Sequence, residues 1–226
     1  AEAVRKTVTQ YLGYTGNKGF INMIREIFQN SADELMKDDS PCTEIHVAFS
    51  EPLQELAVRD NGRGIPHDSL VRVFASQHTS SNYDKKPGEF SSGRHGVGAK
   101  VTNACSEYFI VESYILGKGK RVEFKLGDAK TAKITDLKYV ENKQGTTVTF
   151  KPYEETMGKT TVTCQDVLKL IKSLVPLLKQ GAKVVFNGQA IDGAKVKETI
   201  VNVDGLMDGL NTIVSKPIIA PIRFGA

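Results

Sequence analysis

The spacing of apolar residues predicts a helix between about residues 19 and 37. Four residues three or four positions apart form one face of that helix: Ile24, Phe28, Ser31 and Leu35. A polar stripe lies on nearly the opposite face: Glu26, Asn30 and Asp33. Charged helix faces are usually solvated, so this stripe alone indicates no function.

Further along the chain, apolar runs and alternation predict strands at residues 43–49, 54–59, 108–116, 121–126, 146–150 and 183–186. Helical patterns predict short helices at 68–74 and 97–105 and a longer one at 165–180, kinked by Pro176. The polar segment 76–98 is a long loop, which in a compact domain is usually functional or disordered. This order of elements predicts an α+β fold, a two-layer α/β sandwich with helices on one face of a mixed, mostly antiparallel sheet.

Composition narrows the class of protein only slightly. With 226 residues, 40% apolar and 25% charged, the chain fits one large soluble domain, and no apolar run is long enough to span a membrane. The three cysteines, Cys42, Cys105 and Cys164, are widely separated, which favours a reducing, cytoplasmic location and argues against a zinc site. A net charge of +4 does not by itself indicate DNA binding, and the basic residues between 118 and 143 are interpreted as solvated strand faces and edges.

Two segments have residues suited to nucleotide binding. Asp60 ends a predicted strand and is followed by Gly62 and Gly64, so a carboxylate that can accept from an adenine amino group stands beside backbone that a flat ring can approach. Residues 92–100, Ser-Gly-Arg-His-Gly-Val-Gly-Ala-Lys, combine three glycines, the start of a helix and a lysine, as phosphate-binding segments do. This is neither a P-loop nor a Rossmann fingerprint. Each segment alone is weak evidence of a nucleotide-binding site. The occurrence of both segments, in this order after the polar stripe of the helix, is strong evidence of one.

Taken together, these motifs resemble the ATPase superfamily shared by gyrase, a class of heat-shock chaperones, sensor histidine kinases and the MutL repair proteins. Glu26-x-x-x-Asn30 is similar to its N box, and Asp60-x-Gly62-x-Gly64 to its second motif. Residues 93–98 are similar to the third motif, and Gly145-Thr146 to the fourth. The resemblance implies the Bergerat ATP-binding fold, with ATP and Mg²⁺ as cofactors.

Within that superfamily, several strings resemble type IIA DNA topoisomerases of the gyrase kind: Val4-Arg5-Lys6 with Tyr11-x-Gly13, residues 61–66, and residues 92–98 followed by 103–106. Residues 79–84, Thr-Ser-Ser-Asn-Tyr-Asp, and Gly98-Ala99-Lys100 look instead like the eukaryotic enzyme. Gln29 and His95 depart from the gyrase and the eukaryotic patterns respectively, and the loop between Phe74 and Ser92 departs from the family pattern by being short. The mixture suits a viral or otherwise divergent topoisomerase.

The resemblance also implies roles for individual residues. Glu26 is expected to be the general base that activates water, and Asn30 the protein ligand to Mg²⁺. Asp60 is expected to contact the adenine amino group, and Asp33 to pair with Arg63. The other residues expected at the nucleotide are Gly64, Ile65 and Thr146 near the base, Ser80, Ser81 and Asn82 at ribose or phosphate, and Gly93, Arg94, His95, Gly96, Val97, Gly98 and Lys100 around the triphosphate.

The expected domain organisation is an ATPase domain at residues 1–215 and the start of a transducer domain, otherwise missing, at 216–226. In the full-length enzyme the partners implied are DNA, a DNA-cleavage subunit or domain, and a second copy bound in an ATP-dependent clamp. Without the transducer, this chain is expected to bind ATP, hydrolyse it slowly and stay largely monomeric. The alternatives are a heat-shock-chaperone- or MutL-like ATPase switch, a histidine kinase catalytic domain, and a non-catalytic nucleotide-binding module.

Overall fold

The computed structural model describes residues 1–75 and 97–203. The helices are α1 (Glu2–Lys6), α2 (Val8–Leu12), α3 (Gly16–Met36), α4 (Leu70–Ala75), α5 (Gly98–Ala104), α6 (Glu154–Met157) and α7 (Cys164–Leu174). The strands are β1 (Glu44–Ser50), β2 (Glu55–Asp60), β3 (Ser106–Ile115), β4 (Lys118–Lys125), β5 (Lys133–Leu137), β6 (Gly145–Pro152), β7 (Lys183–Gln189) and β8 (Lys195–Val201). Residues 216–226, predicted to begin another domain, lie outside the described ranges.

The strands form one eight-stranded sheet in the order β5-β4-β3-β6-β2-β1-β7-β8. Among the described pairings only β1 with β7 is parallel, with Ile45 opposite Val184, and the others are antiparallel. The predicted α+β fold with a mixed, mostly antiparallel sheet is therefore confirmed. Strand β2 lies between β6 and β1, so its last residue, Asp60, is at the end of a central strand of the sheet.

One face of the sheet packs against the helices, and the predicted apolar face of α3 is part of this core. Ile24, Phe28, Ser31 and Leu35 are all buried. Phe20 of α3 contacts Phe150 of β6, with ring centroids 6.0 Å apart in an edge-on arrangement that aromatic pairs favour. The helix is thereby fixed against the centre of the sheet, which also fixes the side chains on its polar face.

Several elements differ from the sequence prediction. Helix α7 ends at Leu174 rather than near residue 180, because Pro176 has no N–H for the helical ladder and the chain turns into a 3₁₀ helix at Val175–Leu177. The two N-terminal helices and the edge strands β5 and β8 were not predicted. In β5 only Leu137 is even partly buried, so no apolar alternation marks that strand.

Three further features of the described residues concern membrane-spanning helices, cysteines and metal-binding clusters. Within residues 1–75 and 97–203, no helix is both long and apolar enough to cross a membrane. Cys42, Cys105 and Cys164 are unpaired thiols and all are buried. No cluster of three or more metal-binding side chains of the His, Cys, Asp and Glu types occurs in the same ranges.

Candidate nucleotide-binding site

Asp60 is a buried carboxylate at the end of β2, only 5% exposed. Its Oδ1 accepts the backbone N–H of Gly62 at 3.0 Å and that of Thr146 at 3.2 Å. Its Oδ2 accepts the Ser31 hydroxyl of α3 at 3.0 Å. Burial raises the pKa of Asp60, while these three hydrogen bonds oppose that rise. The carboxylate is thus fixed by three separate segments: α3, the turn after β2, and the start of β6.

Glycines bring the backbone close around this acid. Gly64 has a positive φ of 78°, and a Cβ there would lie 2.5 Å from the carbonyl oxygen of Tyr114. Gly145 has a φ of 111°, and a Cβ there would lie 2.1 Å from the carbonyl oxygen of Asp60. Any side chain at either position would therefore force the strands apart. The next residue after Gly64, Ile65, is partly buried against the core and is anchored through its backbone to β3.

Glu26 lies on the same helix as Ser31, with its carboxylate against the first residue of α5. A Cβ added to Gly98 would lie 1.8 Å from Glu26 Oε2, so these two residues are in close contact. Burial raises the pKa of Glu26, and the Arg25 charge opposes this only in part. A raised pKa makes a carboxylate a stronger base. The acid predicted to act as base therefore meets the end of the glycine-rich segment predicted to bind phosphate.

Asn30 is one helical turn beyond Glu26 and is exposed on the polar face of α3. Its side-chain amide makes no hydrogen bond within the described residues, so its oxygen is available to a ligand. At the start of α5, Val97 precedes the first helical residue and no side chain caps the helix. Burial lowers the pKa of the nearby Lys100 ammonium.

The predicted pairing of Arg63 with Asp33 is wrong. The Arg63 guanidinium contacts Glu34 Oε1 at 3.0 Å and Asp39 Oδ2 at 3.0 Å, because Glu34 lies one position further round α3 and faces the turn after β2. Burial would raise the pKa of Glu34, but hydrogen bonds from Arg63 and Ser40 outweigh it and lower that pKa to about 2. Glu34 therefore fixes the turn beside Asp60.

The structure joins the predicted residues in two groups: Asp60 bonds to Thr146 and is followed by the turn that contains Gly64 and Ile65, and Glu26 contacts Gly98. Asn30 is on α3 one turn beyond Glu26. Val97 and Lys100, at the start of α5, line a cavity together with residues of the N-terminal helices such as Val4 and Tyr11. Ser80, Ser81, Asn82, Gly93, Arg94, His95 and Gly96 lie outside the described residues.

Sequence reasoning missed three residues that shape this site: Ser31, Glu34 and Ser113. Ser31 was assigned to the buried face of α3, and a hydroxyl among apolar residues there was the available signal. Glu34 is four positions beyond Asn30 and therefore borders the polar stripe, and that helical spacing was the available signal. Ser113 lies within an apolar strand far along the chain, and only the tertiary fold shows that it contacts Ile65.

Comparison with known proteins agrees with this geometry. Residues 17–156 match the family described as histidine kinase-, DNA gyrase B-, and HSP90-like ATPase. That match covers more than half of the chain and includes Glu26, Asn30, Asp60, Gly98 and Thr146. The chain therefore belongs to this ATPase family and is an ATP-binding domain.

More specific relatives are components of type II topoisomerases. The chain is 33% identical over 193 residues to DNA gyrase B of Thermus thermophilus, covering 82% of this chain and 30% of the relative. It is 32% identical over 193 residues to DNA topoisomerase IV B of Mycoplasma capricolum, covering 82% and 29% respectively. The chain thus spans less than a third of the length of these curated relatives.

A solved structure supports the same relationship. The 43K ATPase domain of Thermus thermophilus gyrase B, in complex with an aminocoumarin, matches with a TM-score of 0.77 and 28% identity, over 94% of this chain and 54% of that one. The chain is therefore an ATPase domain homologous to gyrase B and topoisomerase IV B, and the chaperone and MutL alternatives are less supported.

Proposed function

We propose that this chain binds ATP between α3, the end of β2 and the start of α5, and hydrolyses it with Glu26 as the general base. The observation that supports this most strongly is the contact between the Glu26 carboxylate and Gly98. A carboxylate against the predicted phosphate-binding segment has no use in a site that only binds nucleotide, whereas it suits a base that must reach water near the terminal phosphate.

In this proposal Asp60 recognises the adenine amino group. A carboxylate has about four acceptor positions, and three of those on Asp60 are occupied by Ser31, Gly62 and Thr146. One acceptor position remains for the amino group of a base. Gly64, Ile65 and Thr146 are proposed to lie beside the ring, and the missing side chain of Gly64 lets this segment pack directly against the backbone of Tyr114 on β3.

Helix α3 contacts both parts of the proposed site, the part that binds adenine and the part that binds the triphosphate. Ser31 contacts Asp60 at one end, and Glu26 contacts Gly98 at the other. These two helix residues are five positions apart, about 7.5 Å along the axis. One rigid helix therefore sets both the adenine contact and the base, so binding at Asp60 orients the triphosphate toward Glu26.

The described residues also fit a magnesium ion held mainly by the nucleotide. Asn30 offers one exposed amide oxygen, and no cluster of acidic ligands lies in the described ranges. Mg²⁺ in nucleotide sites is typically bound by one or two side chains together with phosphate oxygens and waters. When bound, it would neutralise charge on the phosphates. Lys100 and residues 93–98 are proposed to contact the triphosphate, and Ser80, Ser81 and Asn82 the ribose or phosphate.

Replacing Glu26 with Gln tests the hydrolytic role. The amide keeps the shape of the side chain but cannot accept a proton, so ATP affinity should stay within a few fold while turnover falls by roughly 10²–10⁴. Glu107→Gln is the control, because Glu107 is an exposed acid of β3 paired with Lys151. Calorimetry measures binding and phosphate release measures turnover. A Glu26→Gln protein that hydrolyses ATP like the wild type would remove Glu26 from the mechanism.

We further propose that the domain acts inside the cell, in a type IIA DNA topoisomerase. There, ATP would close a homodimeric clamp that drives the passage of one DNA duplex through another, together with a DNA-cleavage subunit or domain. The support is the similarity to gyrase B and topoisomerase IV B, and residues 1–215 are proposed as the ATPase unit.

A chimera tests this second proposal. Residues 1–215 would replace the matching segment of Thermus thermophilus DNA gyrase B, and the chimera would be assayed with its DNA-cleavage partner for ATP-dependent changes in plasmid supercoiling. The expected result is activity in the chimera and none in its Glu26→Gln version. A folded chimera that hydrolyses ATP but leaves DNA topology unchanged would contradict the topoisomerase proposal without affecting the ATPase proposal.

A further inference from the structure

Ser113 of β3 has a polar side chain that is fully buried, at 0% exposure. Its hydroxyl accepts the backbone N–H of Ile65 at 2.8 Å and donates to the carbonyl oxygen of the same residue at 2.8 Å. One hydroxyl therefore satisfies both backbone groups of Ile65. Buried backbone groups left without partners are costly, so this arrangement fixes Ile65 on β3.

Two neighbouring contacts extend this attachment. His67 Nε2 lies 3.2 Å from the Ser113 carbonyl oxygen, and because a carbonyl only accepts, Nε2 must be the protonated ring nitrogen. Gly64 packs so closely that a Cβ there would lie 3.1 Å from Ser113 Oγ. Residues 64–67 thus lie against β3, and the attachment is centred on one serine.

The same serine connects this segment to the other side of the Asp60 site. In the sheet, Ser113 is the partner of Thr146 on β6. The Thr146 N–H donates to Asp60 Oδ1 at 3.2 Å. Ser113 is therefore bonded to the backbone that follows Asp60 and paired with the strand that donates to Asp60. No other described side chain bonds to Ile65 and is also paired in the sheet with Thr146.

We propose that Ser113 is a positioning residue that sets the preference of this site for adenine. It does not touch the base itself. It fixes the backbone at Gly64 and Ile65 relative to Thr146 and Asp60, and so fixes the opening into which the base fits. This inference rests on the proposed function, because it assumes that Asp60 receives the adenine amino group.

Ser113→Ala should therefore weaken base recognition more than triphosphate binding. Both backbone groups of Ile65 lose their partner, and the segment beside the base is free to shift. The dissociation constant for ATP is expected to rise roughly tenfold, since the lost alignment is comparable to one hydrogen bond or two. GTP binds largely through the triphosphate in this account, so its dissociation constant should change by less than about threefold, and the preference for ATP should shrink.

Ser106→Ala provides a matched control. Ser106 is on the same strand and is also 0% exposed. Its hydroxyl donates to the Thr102 carbonyl oxygen at 2.6 Å, at the end of β3 away from Asp60. Both alanine variants lose a buried serine hydrogen bond, so both should melt at a lower temperature than the wild type. Only Ser113→Ala should alter the ratio of ATP to GTP affinity, and Ser113→Thr, which keeps the hydroxyl, should restore it toward the wild-type value.

The experiment measures melting temperature by calorimetry and the affinities for ATP and GTP by competition, for the wild type and the three variants. A reduced nucleotide preference in Ser113→Ala alone supports the positioning role. If Ser113→Ala melts earlier but discriminates between ATP and GTP as well as Ser106→Ala does, Ser113 is only structural and the inference is overturned. If the wild type itself shows no preference for ATP, the proposed adenine site fails, and this inference fails with it.

Discussion

Replacing Asp60 with Asn changes one oxygen of the buried carboxylate into an amino group and leaves the shape of the side chain intact. The remaining oxygen can still accept from the backbone N–H groups of Gly62 and Thr146, and the new amino group can donate to the Ser31 hydroxyl. What the variant loses is an acceptor for the amino group of adenine, because a donor now faces a donor. The protein should fold normally but bind ATP poorly.

The hydrogen bonds of Asp60 determine how much ATP affinity and stability each Asp60 variant is expected to lose. A buried donor left unpaired costs about 1–3 kcal/mol, which corresponds to a loss of ATP affinity of roughly 5- to 150-fold in Asp60→Asn. Asp60→Ala should differ, because it also removes the acceptor for Ser31, Gly62 and Thr146. With up to three donors unsatisfied, we expect the alanine variant to lose about 2–5 kcal/mol of stability and most of its nucleotide affinity.

The effect of pH on the stability of Asp60→Asn has a definite sign. Burial raises the pKa of Asp60 above 3.8, so the folded protein retains this proton more strongly than the unfolded chain. The ionised carboxylate therefore lowers wild-type stability as pH rises through and above that value. Asn has no such titration. The stability difference between Asp60→Asn and the wild type should shift in favour of the variant as the pH rises from 3.8 through the raised pKa of folded Asp60, and should stay constant above it.

Calorimetric titration with ATP and GTP, and urea unfolding at several pH values, measure these quantities. Asp136→Asn is the control, since Asp136 is an exposed acid on β5 paired with Lys120. The wild type should prefer ATP strongly, because the carbonyl oxygen of guanine would face the carboxylate with no proton between them. An Asp60→Asn protein that binds ATP as tightly as the wild type would refute the assignment of Asp60 to the base.

Two further predictions concern residues beside this site. Glu34, whose pKa is lowered to about 2, should add stability above pH 4.5 that disappears as the pH falls toward 2. Urea unfolding should therefore show that Glu34→Gln lowers the free energy of unfolding by about 1–2 kcal/mol at neutral pH and changes it little near pH 2. This figure is reduced because Arg63 is partly exposed to solvent. Parallel pH profiles for the variant and the wild type would contradict this prediction. Gly98→Ala would place a Cβ 1.8 Å from Glu26 Oε2, so the Glu26 carboxylate would have to move. Phosphate release should then slow roughly 10- to 100-fold, while the melting temperature changes little. Unchanged turnover would show that the position of Glu26 does not matter.

The fold was largely predictable where burial leaves a periodic pattern. Helix α3 has a continuous apolar face, and the central strands alternate or are fully apolar, so their positions followed from sequence. The exposed edge strand β5 has no such pattern, because it buries almost nothing. Pro176 was expected to kink a helix but ends it, since the local sequence does not show whether the chain continues as α-helix after the missing N–H.

The candidate site was predictable from motifs but its supporting contacts were not. The positions of Glu26 and Asp60 followed from the resemblance to a known family. The choice of Glu34 rather than Asp33 as the partner of Arg63 depends on how α3 is rotated against the turn after β2, which spacing alone does not fix. Ser113 is 48 residues from Ile65 in sequence, so their hydrogen bonds depend entirely on the strand order.

The central claim is that Glu26 activates the water that attacks ATP bound at Asp60. A crystal structure of this protein with Mg²⁺ and a non-hydrolysable ATP analogue tests it most directly. The account predicts the adenine amino group on the Asp60 carboxylate and the Glu26 carboxylate within hydrogen-bond distance of a water in line with the γ-phosphate. It also predicts Asn30 on the metal. An analogue bound with its base away from Asp60, or with Glu26 turned away from the γ-phosphate and its water, would contradict it.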